Sequence, residues 1–167
     1  MKQKTYVMVK PWFAENKEVL GEIRQRLIDK GFSITEESFI KYTKEAAAKH
    51  YKQLTSKPFY PELELYITSG KAYGMVVEGE DSISYIHDVM AGKTSNPAPG
   101  TIRYDIPEML GVDPDTTANV VHSSDSEETA NAEIEIFREL AQEQEKSARK
   151  DSKETESMQT EEPELSM

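Results

Sequence analysis

The sequence predicts an α+β domain in which helices cover an antiparallel sheet, followed by a polar tail. Three observations support this prediction. Strand-like and helix-like segments alternate over residues 1–140, the 167 residues suffice for one domain of ordinary size, and the composition changes near residue 140. We therefore divide the chain into a folded domain, 1–140, and an acidic, largely disordered tail, 141–167.

The first half of the domain switches between the periodicities of strands and helices. A β-branched and aromatic run that ends before Pro11 predicts the first strand. Apolar residues at steps of three and four, Val19 to Ile28, predict an amphipathic helix that Gly31 ends, and Thr43 is a predicted helix cap. The predicted elements are a strand over 5–9, a helix over 16–30, a strand over 32–42, a helix over 43–51 and a helical stretch over 58–67.

The second half continues the alternation but contains one long irregular segment. It contains a predicted strand over 72–77, a helix over 81–90 with Ile83, Ile86, Val89 and Met90 on one side, and a short strand over 119–122. Ser126 is a predicted N-cap, and the helix that follows turns Ala130, Ile134, Phe137 and Leu140 inward. Residues 92–118, rich in Pro, Gly, Thr and Asp, predict a long loop before the last strand, and loops of this length are usually functional.

The order of these elements favours one sheet topology over another. A β-α-β-β-α-β order predicts a ferredoxin-like antiparallel sheet with its helices on one face. Propensity alone leaves a doubly wound parallel sheet as an open alternative. The tail 141–167 carries 4 Lys and Arg against 8 Asp and Glu, with too few apolar residues to offset the entropy of ordering.

The composition excludes several classes of function. With 20 Lys and Arg against 31 Asp and Glu, the net charge of −11 argues against a protein that neutralises a nucleic-acid backbone. A few well-placed cations would still suffice for one nucleotide. Cysteine is absent, which excludes disulfides and thiolate chemistry, and no apolar run reaches the length of a membrane span. The beginning of the chain contains no secretory-type apolar segment, so we expect a cytoplasmic protein without membrane or nucleic-acid partners.

His122 is the candidate nucleophile. It lies at the end of a predicted buried strand, before small polar residues and a helix N-terminus that offers N–H donors to an anion. A neutral imidazole can attack phosphorus near pH 7, and Glu133 could reach back to orient the ring. Judged by residue type alone, a strand-end histidine bonded to a neighbouring carbonyl is the commoner case. His50 and His87 are expected to be solvated helix residues.

Two basic residues are candidate phosphate ligands. Lys10 ends the first strand, and Arg103 lies in the long loop; each is equally compatible with an ordinary surface position. No Gly-x-x-x-x-Gly-Lys-Ser/Thr motif occurs, which excludes a P-loop kinase, and no residues have zinc-ligand spacing, so we predict no protein metal site.

Five segments, taken in order, resemble the nucleoside diphosphate kinase family over about residues 4–140. They are Tyr6-Val-Met-Val-Lys-Pro11, Lys57-Pro-Phe59, Ile67-Thr-Ser-Gly70, Pro99-Gly-Thr-Ile-Arg103 and Asn119-Val-Val-His-Ser-Ser-Asp-Ser126. The Asn-x-x-His-x-Ser-Asp-Ser pattern is specific to that family; the others are weak singly and strong as an ordered set.

The resemblance implies a ping-pong phosphotransferase. The γ-phosphoryl of a nucleoside triphosphate, mainly ATP, would move to His122 and then to a nucleoside diphosphate. Glu133 would hold the other ring nitrogen, and Ser124 would bond Glu133. Lys10 and Tyr51 would contact the transferring phosphoryl group.

The resemblance also implies how the nucleotide is bound. Thr94 and Arg103 would hold the diphosphate, Asn119 and Lys10 the ribose, and Phe59 would stack on the base with little discrimination. Mg²⁺ would bind through the nucleotide phosphates. The family's members are homo-oligomers, usually hexamers, with tetramers and dimers also known, so we expect a hexamer or a tetramer.

This sequence departs from the family's pattern at three places. Asp88 stands where the family usually has a phosphate-binding arginine, the loop between Thr94 and Arg103 is shorter, and the stretch 106–118 is longer. The first departure and the tail favour an alternative, a catalytically weak interaction or regulatory module. The intact set of site residues opposes it. A ferredoxin-like nucleic-acid binder is a third alternative, which the net charge disfavours.

Overall fold

The computed structural model describes residues 1–113 and 119–165, with side chains through Lys150. The strands are β1 (Lys2–Val9), β2 (Ser33–Ile40), β3 (Ala72–Glu80) and β4 (Val121–Ser123). The α-helices are α1 (Lys17–Asp29), α2 (Lys44–His50), α3 (Tyr60–Thr68), α4 (Ser82–Ser84), α5 (Ile102–Leu110) and α6 (Glu127–Leu165). A 3-10 turn, Lys52–Leu54, follows α2, and a π-helix, Tyr85–Ala91, continues α4.

The four strands form one antiparallel sheet in the order β2-β3-β1-β4. In its register Tyr6 pairs with Val76, and Met8 pairs with His122. This topology confirms the predicted ferredoxin-like βαββαβ fold and excludes the doubly wound alternative, which requires parallel neighbours. His122 therefore lies within the edge strand β4, one residue before the end of that strand.

Helices cover both faces of the sheet, so the expectation of helices on one face was wrong. Alternate residues of β1 point to opposite sides: Val7 and Val9 belong to one buried cluster, and Tyr6 and Met8 to the other. The first cluster includes residues of α1, the π-helix and α5, and the second includes residues of α2, α3 and α6. The two central strands, β1 and β3, have helices packed on both faces, so the side chains on both faces of these strands are mostly apolar.

Helix α1 agrees with its predicted bounds. The side chain of Asn16 caps it by accepting hydrogen bonds from the backbone N–H groups of Glu18 and Val19. Val19, Ile23 and Leu27, spaced by four residues, are fully buried, whereas Ile28 is 46% exposed. Ile28 was expected to face the core; it lies one position, or about 100°, beyond the stripe that Leu27 ends.

The helix predicted over 81–90 is present but changes type after Ser84. In the π-helix, hydrogen bonds join residues five apart, so each turn holds more residues than an α-turn. Ile83, Ile86 and Met90 are buried as predicted, but Val89 is 54% exposed. The prediction for Val89 was wrong because the wider turn rotates this position away from the sheet.

The segment predicted as a long loop contains helix α5. Ile102 and Ile106, four residues apart, are both buried and attach this helix to the first core cluster. Pro107 lies inside the helix, and its missing N–H lowers the helical propensity that a sequence analysis detects. Gly92, with φ of +87°, lies against Thr101, so closely that a Cβ at Gly92 would be 2.6 Å from the threonine Cβ. Together these contacts hold Arg103 at the first turn of α5.

Helix α6 is attached to the sheet along its first five turns. Phe137 covers Gly74 of β3, where a Cβ would come within 2.5 Å of the phenylalanine ring. Farther along, the Gln144 amide pairs reciprocally with the backbone of Lys41: its Oε1 accepts from the N–H at 3.0 Å, and its Nε2 donates to the carbonyl at 2.7 Å. The helix thus passes the predicted boundary at residue 140, while the side chains of 151–167 lie outside the described residues and the disorder of the tail stays a prediction.

None of the helices in the described ranges combines the length and the apolar character that crossing a bilayer requires.

Candidate functional site

Three residues of the predicted site form one hydrogen-bonded group. His122 Nε2 lies 2.8 Å from Glu133 Oε1, and Ser124 Oγ donates to the same oxygen at 2.7 Å. Ser124 is in turn fixed to β1, since its N–H donates to the carbonyl of Tyr6 and its Oγ accepts from the Tyr6 N–H. The contact predicted between Glu133 and the histidine ring is therefore present, and α6 supplies it.

This arrangement selects one tautomer of His122. An ionised carboxylate only accepts, so the proton of a neutral imidazole lies on Nε2 and the lone pair on Nδ1. Burial, together with the charges of Lys10 and Arg103, lowers the pKa of His122, while burial raises the pKa of Glu133. The ring is consequently uncharged at neutral pH and keeps a nucleophilic nitrogen.

Arg103 is the centre of a second group. Its Nε donates to Asn119 Oδ1 at 2.9 Å, its second terminal nitrogen donates to the Val121 carbonyl at 3.0 Å, and its first terminal nitrogen donates to the Gly92 carbonyl. The side chain is buried, and it joins α5 to Gly92 and to the segment that contains Asn119 and Val121. These contacts account for three of the five N–H donors of a guanidinium.

Lys10 follows β1 directly and is only 6% exposed. Burial lowers its pKa to about 7, and repulsion from Arg103 acts in the same direction. A surface position, which the sequence left open for both cations, is thereby excluded. Two adjacent buried cations are costly unless an anion compensates them.

The end of α2 brings Tyr51 and, unexpectedly, His50 to the same place. The Tyr51 ring lies 5.9 Å from the His122 ring, and its hydroxyl is buried with no hydrogen-bond partner among the described residues. His50 was expected to be solvated, but its side chain is fully buried and its ring lies 4.4 Å from that of His122. The sequence signal for this burial was the pair Ala46-Ala47, which precedes His50 by one helical turn.

The remaining predicted residues lie outside these groups. Phe59 is 51% exposed at the residue before α3, and Thr94 is exposed in the loop after the π-helix. No hydrogen bond in the described part of the chain joins either of them to the histidine. Asp88 is exposed and paired with its neighbour His87, whose Nδ1 lies 2.8 Å from its Oδ1.

Comparisons with known proteins place the chain in one family. Residues 3–142 match the model of the family described as nucleoside diphosphate kinase. The nucleoside diphosphate kinase of Methanocaldococcus jannaschii is 43% identical over 140 residues, which cover 82% of this chain and 94% of the relative. That of Bacillus licheniformis is 41% identical over 138 residues, covering 81% and 87%.

Solved structures lead to the same conclusion. A halophilic nucleoside diphosphate kinase from Halobacterium salinarum, in complex with CDP, superposes with a TM-score of 0.71 at 35% identity, covering 82% of this chain and 88% of that one. The Aquifex aeolicus nucleoside diphosphate kinase gives 0.70 at 33% identity, covering 82% and 95%. The chain belongs to the nucleoside diphosphate kinase family and is a phosphotransferase.

Proposed function

We propose that the chain carries a phosphoryl group from a nucleoside triphosphate to a nucleoside diphosphate through a covalent phosphohistidine at Nδ1 of His122. The observation that carries this proposal is the 2.8 Å contact between Nε2 and Glu133, because it leaves Nδ1 with the lone pair. In the first half-reaction the Pγ–Nδ1 bond forms, the bond from Pγ to the β,γ-bridging oxygen breaks, and the nucleoside diphosphate leaves. The second half-reaction reverses these steps on a different diphosphate.

We assign Glu133 and Ser124 the task of keeping His122 ready for both half-reactions. Phosphorylation makes the ring more acidic, so the Nε2–H bond to Glu133 strengthens as the phosphoryl group arrives. The Ser124 hydroxyl donates to the same carboxylate and limits its rotation. Positioning and charge neutralisation are what phosphoryl transfer chiefly requires.

Lys10, Arg103 and Tyr51 are the proposed contacts of the phosphates. The two cations would offset the charge of the phosphoryl oxygens, and the incoming anion would in turn relieve their mutual repulsion. The buried Tyr51 hydroxyl offers one O–H donor to a phosphoryl oxygen. Thr94 would contact the diphosphate from the loop after the π-helix.

The remaining assignments concern the nucleoside. The exposed ring of Phe59 would stack on the base, which tolerates any base because every base has a π-face. Asn119, held by Arg103, and Lys10 would contact the ribose. The Halobacterium salinarum relative bound to CDP supports a nucleoside diphosphate as one substrate.

We also propose Mg²⁺ as the cofactor, held mainly by the nucleotide phosphates. Asp125, exposed and near His122, offers a carboxylate oxygen of the kind that this cation prefers. When bound, Mg²⁺ supplies neutralisation of charge on the phosphates.

Two further proposals concern the oligomeric state and the cellular location of the enzyme. We propose a homo-oligomer, a hexamer or a tetramer, and the membership of the chain in the nucleoside diphosphate kinase family supports this proposal. We propose a cytoplasmic location, with which the absence of cysteine agrees. The alternative of a catalytically weak interaction or regulatory module is not favoured, because His122, Glu133 and Ser124 form the hydrogen-bonded group that the proposed mechanism requires.

A labelling and chase experiment tests the mechanism. The protein is incubated with γ-labelled ATP and Mg²⁺, isolated, and then supplied with GDP. We expect acid-labile label on the protein that leaves as GTP, and no label on His122→Ala. His87→Ala, which removes a partly exposed histidine, is the matched control and should retain the label. Labelling of His122→Ala at the wild-type level would contradict the proposal.

A further inference from the structure

His50 is a buried titratable residue that the proposed mechanism does not use. Its side chain has no exposed surface, and neither Nδ1 nor Nε2 has a hydrogen-bond partner in the described part of the chain. Burial of a polar ring without a partner costs free energy, which apolar side chains of similar size would avoid. The position therefore suggests a task that needs an imidazole.

The aromatic residues around His50 do not provide that partner. The rings of Tyr6, Tyr42 and Tyr51 lie 5.9, 5.5 and 4.5 Å from the His50 ring. The hydroxyls of Tyr6 and Tyr42 are already joined to each other at 2.7 Å. The three tyrosine rings pack around the imidazole of His50.

Glu133 has one carboxylate oxygen directed to each of two histidines. Its Oε1 takes the contacts from His122 and Ser124, whereas its Oε2 lies 3.9 Å from His50 Nε2. A shift of about 1 Å would bring this pair within the ordinary range of an N–H···O hydrogen bond.

We infer that His50 is a positioning residue whose Nε2–H donates to Glu133 Oε2 and thereby keeps Oε1 turned toward His122 while the phosphoryl group is carried. The inference rests on the proposed function, since it extends the chain of contacts His122–Glu133 by one member. His50 touches neither the nucleotide nor the phosphoryl group in this scheme. It acts through the carboxylate.

The electrostatics of the site explain why a second donor is useful. Glu133 must be ionised to accept from His122 Nε2, yet burial raises the pKa of this carboxyl group. The hydrogen bond from the Ser124 hydroxyl opposes that effect, and a neutral His50 would oppose it as well by donating a hydrogen bond to the carboxylate. Burial lowers the pKa of His50 to about 3, so the imidazole is neutral and can donate only from the nitrogen that carries its single proton.

A metal site made of the same residues fits less well. One ligand atom from each of His50, His122 and Glu133 lies within 4.8 Å of the others, which is a donor set that zinc accepts. However, Lys10 and Arg103 both exert positive charge on His122, and a divalent cation would meet the same repulsion. We therefore assign the cluster a hydrogen-bonding role.

The interpretation of a pH profile depends on every group that faces this cluster. Among the residues that the structure describes, they are Lys10 after β1, His87 in the π-helix, Arg103 in α5, Asp125 before α6, and the tyrosines Tyr6, Tyr42 and Tyr51. None of these groups is altered in the variants of His50 described next, so a change between variants reports on His50 itself.

The tautomer of His50 in the unmodified protein is the first test. Nitrogen NMR of protein with ¹⁵N-labelled histidine distinguishes a proton on Nε2 from one on Nδ1, without any variant and without turnover. We expect His50 to carry its proton on Nε2. A proton on Nδ1 alone would overturn the inference, because Nε2 would then have nothing to donate.

Two substitutions provide the second test. His50→Phe keeps a flat ring and removes the donor, whereas His50→Gln places an amide N–H near the former Nε2. We expect His50→Phe to lower kcat about 10- to 100-fold, as loss of a hydrogen bond to a charged group does, with little change in KM. We also expect the acid limb of phosphoenzyme formation to move upward by about one pH unit, and His50→Gln to recover most of the rate.

Tyr42→Phe is the matched control, because it removes a buried polar atom beside His50 without touching Glu133. The pH profile of phosphoenzyme formation in this variant should resemble that of the unmodified protein. Equal losses in His50→Phe and His50→Gln, or an unshifted acid limb in His50→Phe, would overturn the inference in favour of simple packing. If the unmodified protein takes no label from ATP, the proposed function fails, while the NMR measurement still decides the role of His50.

Discussion

Nε2 of His122 and Oε1 of Glu133 lie 2.8 Å apart, although β4 and α6 place their backbones on separate elements. The contact fixes which ring nitrogen carries the proton. Because an ionised carboxylate can only accept, that nitrogen is Nε2. A change of one atom in Glu133 would therefore alter the chemistry of the histidine without altering its position.

Glu133→Gln is expected to lower kcat by about 10²- to 10⁴-fold, because the amide can donate to Nε2 and move the ring proton to Nδ1. The measurement is the rate of phosphoenzyme formation in a single turnover. Glu135→Gln makes the same change on the exposed side of α6 and should leave the rate unchanged. A Glu133→Gln rate within threefold of the unmodified protein would show that the tautomer is set elsewhere.

Lys10 is expected to take up a proton when a nucleoside diphosphate binds at pH 8. Burial lowers its pKa to about 7, so most of the free protein carries a neutral amine at pH 8. The bound phosphates favour the charged form and raise the pKa again. Calorimetry in buffers of different ionisation enthalpy measures this uptake.

Lys10→Arg is the control for that measurement, because a guanidinium is already charged at pH 8 before the nucleotide binds. Its binding should proceed without proton uptake. If the unmodified protein also binds without uptake at pH 8, the amine is charged before the ligand arrives, and burial has less effect on Lys10 than we infer.

Asp88→Arg is expected to lower the KM for nucleotide. Asp88 is exposed, its only described hydrogen bond is to His87, and a carboxylate repels phosphate where an arginine would attract it. Steady-state kinetics provide the measurement. Asp29→Arg, which makes the same charge change at the exposed end of α1, should leave KM unaltered. An unchanged KM in Asp88→Arg would mean that this side chain does not face the bound phosphates.

Gly74→Ala is expected to destabilise the fold by about 1–3 kcal/mol, the usual cost of overpacking a core. The added Cβ would lie 2.5 Å from the Phe137 ring and 2.8 Å from the Tyr6 hydroxyl. Gly21→Ala adds the same methyl group to α1, where nothing lies within 4 Å, and should stabilise by about 0.5–1 kcal/mol. Urea unfolding of both variants measures the two signs, and equal effects would contradict the assigned packing.

Much of the fold could be predicted because local patterns and tertiary packing agree. The bounds of α1 follow from Asn16 and Gly31, which have the same effect in a peptide as in the protein. Helix α5 could not be predicted in this way: Pro107 weakens its pattern, and the helix depends on the burial of Ile102 and Ile106 against the sheet. Val89 was misplaced for a related reason, since a π-turn has no sequence periodicity that a short segment reveals.

In the candidate site, too, some features follow from the local sequence and others only from tertiary packing. The reach of Glu133 toward His122 could be anticipated from a strand end and the helix that follows, whereas the nucleophilic role of His122 was implied only by the family resemblance. The burial of His50 was missed, because Ala46 and Ala47 mark the buried face of α2 but do not show that α6 and three tyrosines close over the histidine. The sequence pattern also could not indicate that Arg103 joins Gly92 and Asn119, segments separated by a helix that was expected to be a loop.

Gln144 lies two residues beyond the stretch that matches the family, and its side-chain amide forms hydrogen bonds with both the backbone N–H and the carbonyl of Lys41. A shortened protein for crystallisation should therefore retain residues through about 145. Cutting at 142 would remove Gln144 and leave the backbone N–H and carbonyl of Lys41 without these two hydrogen bonds.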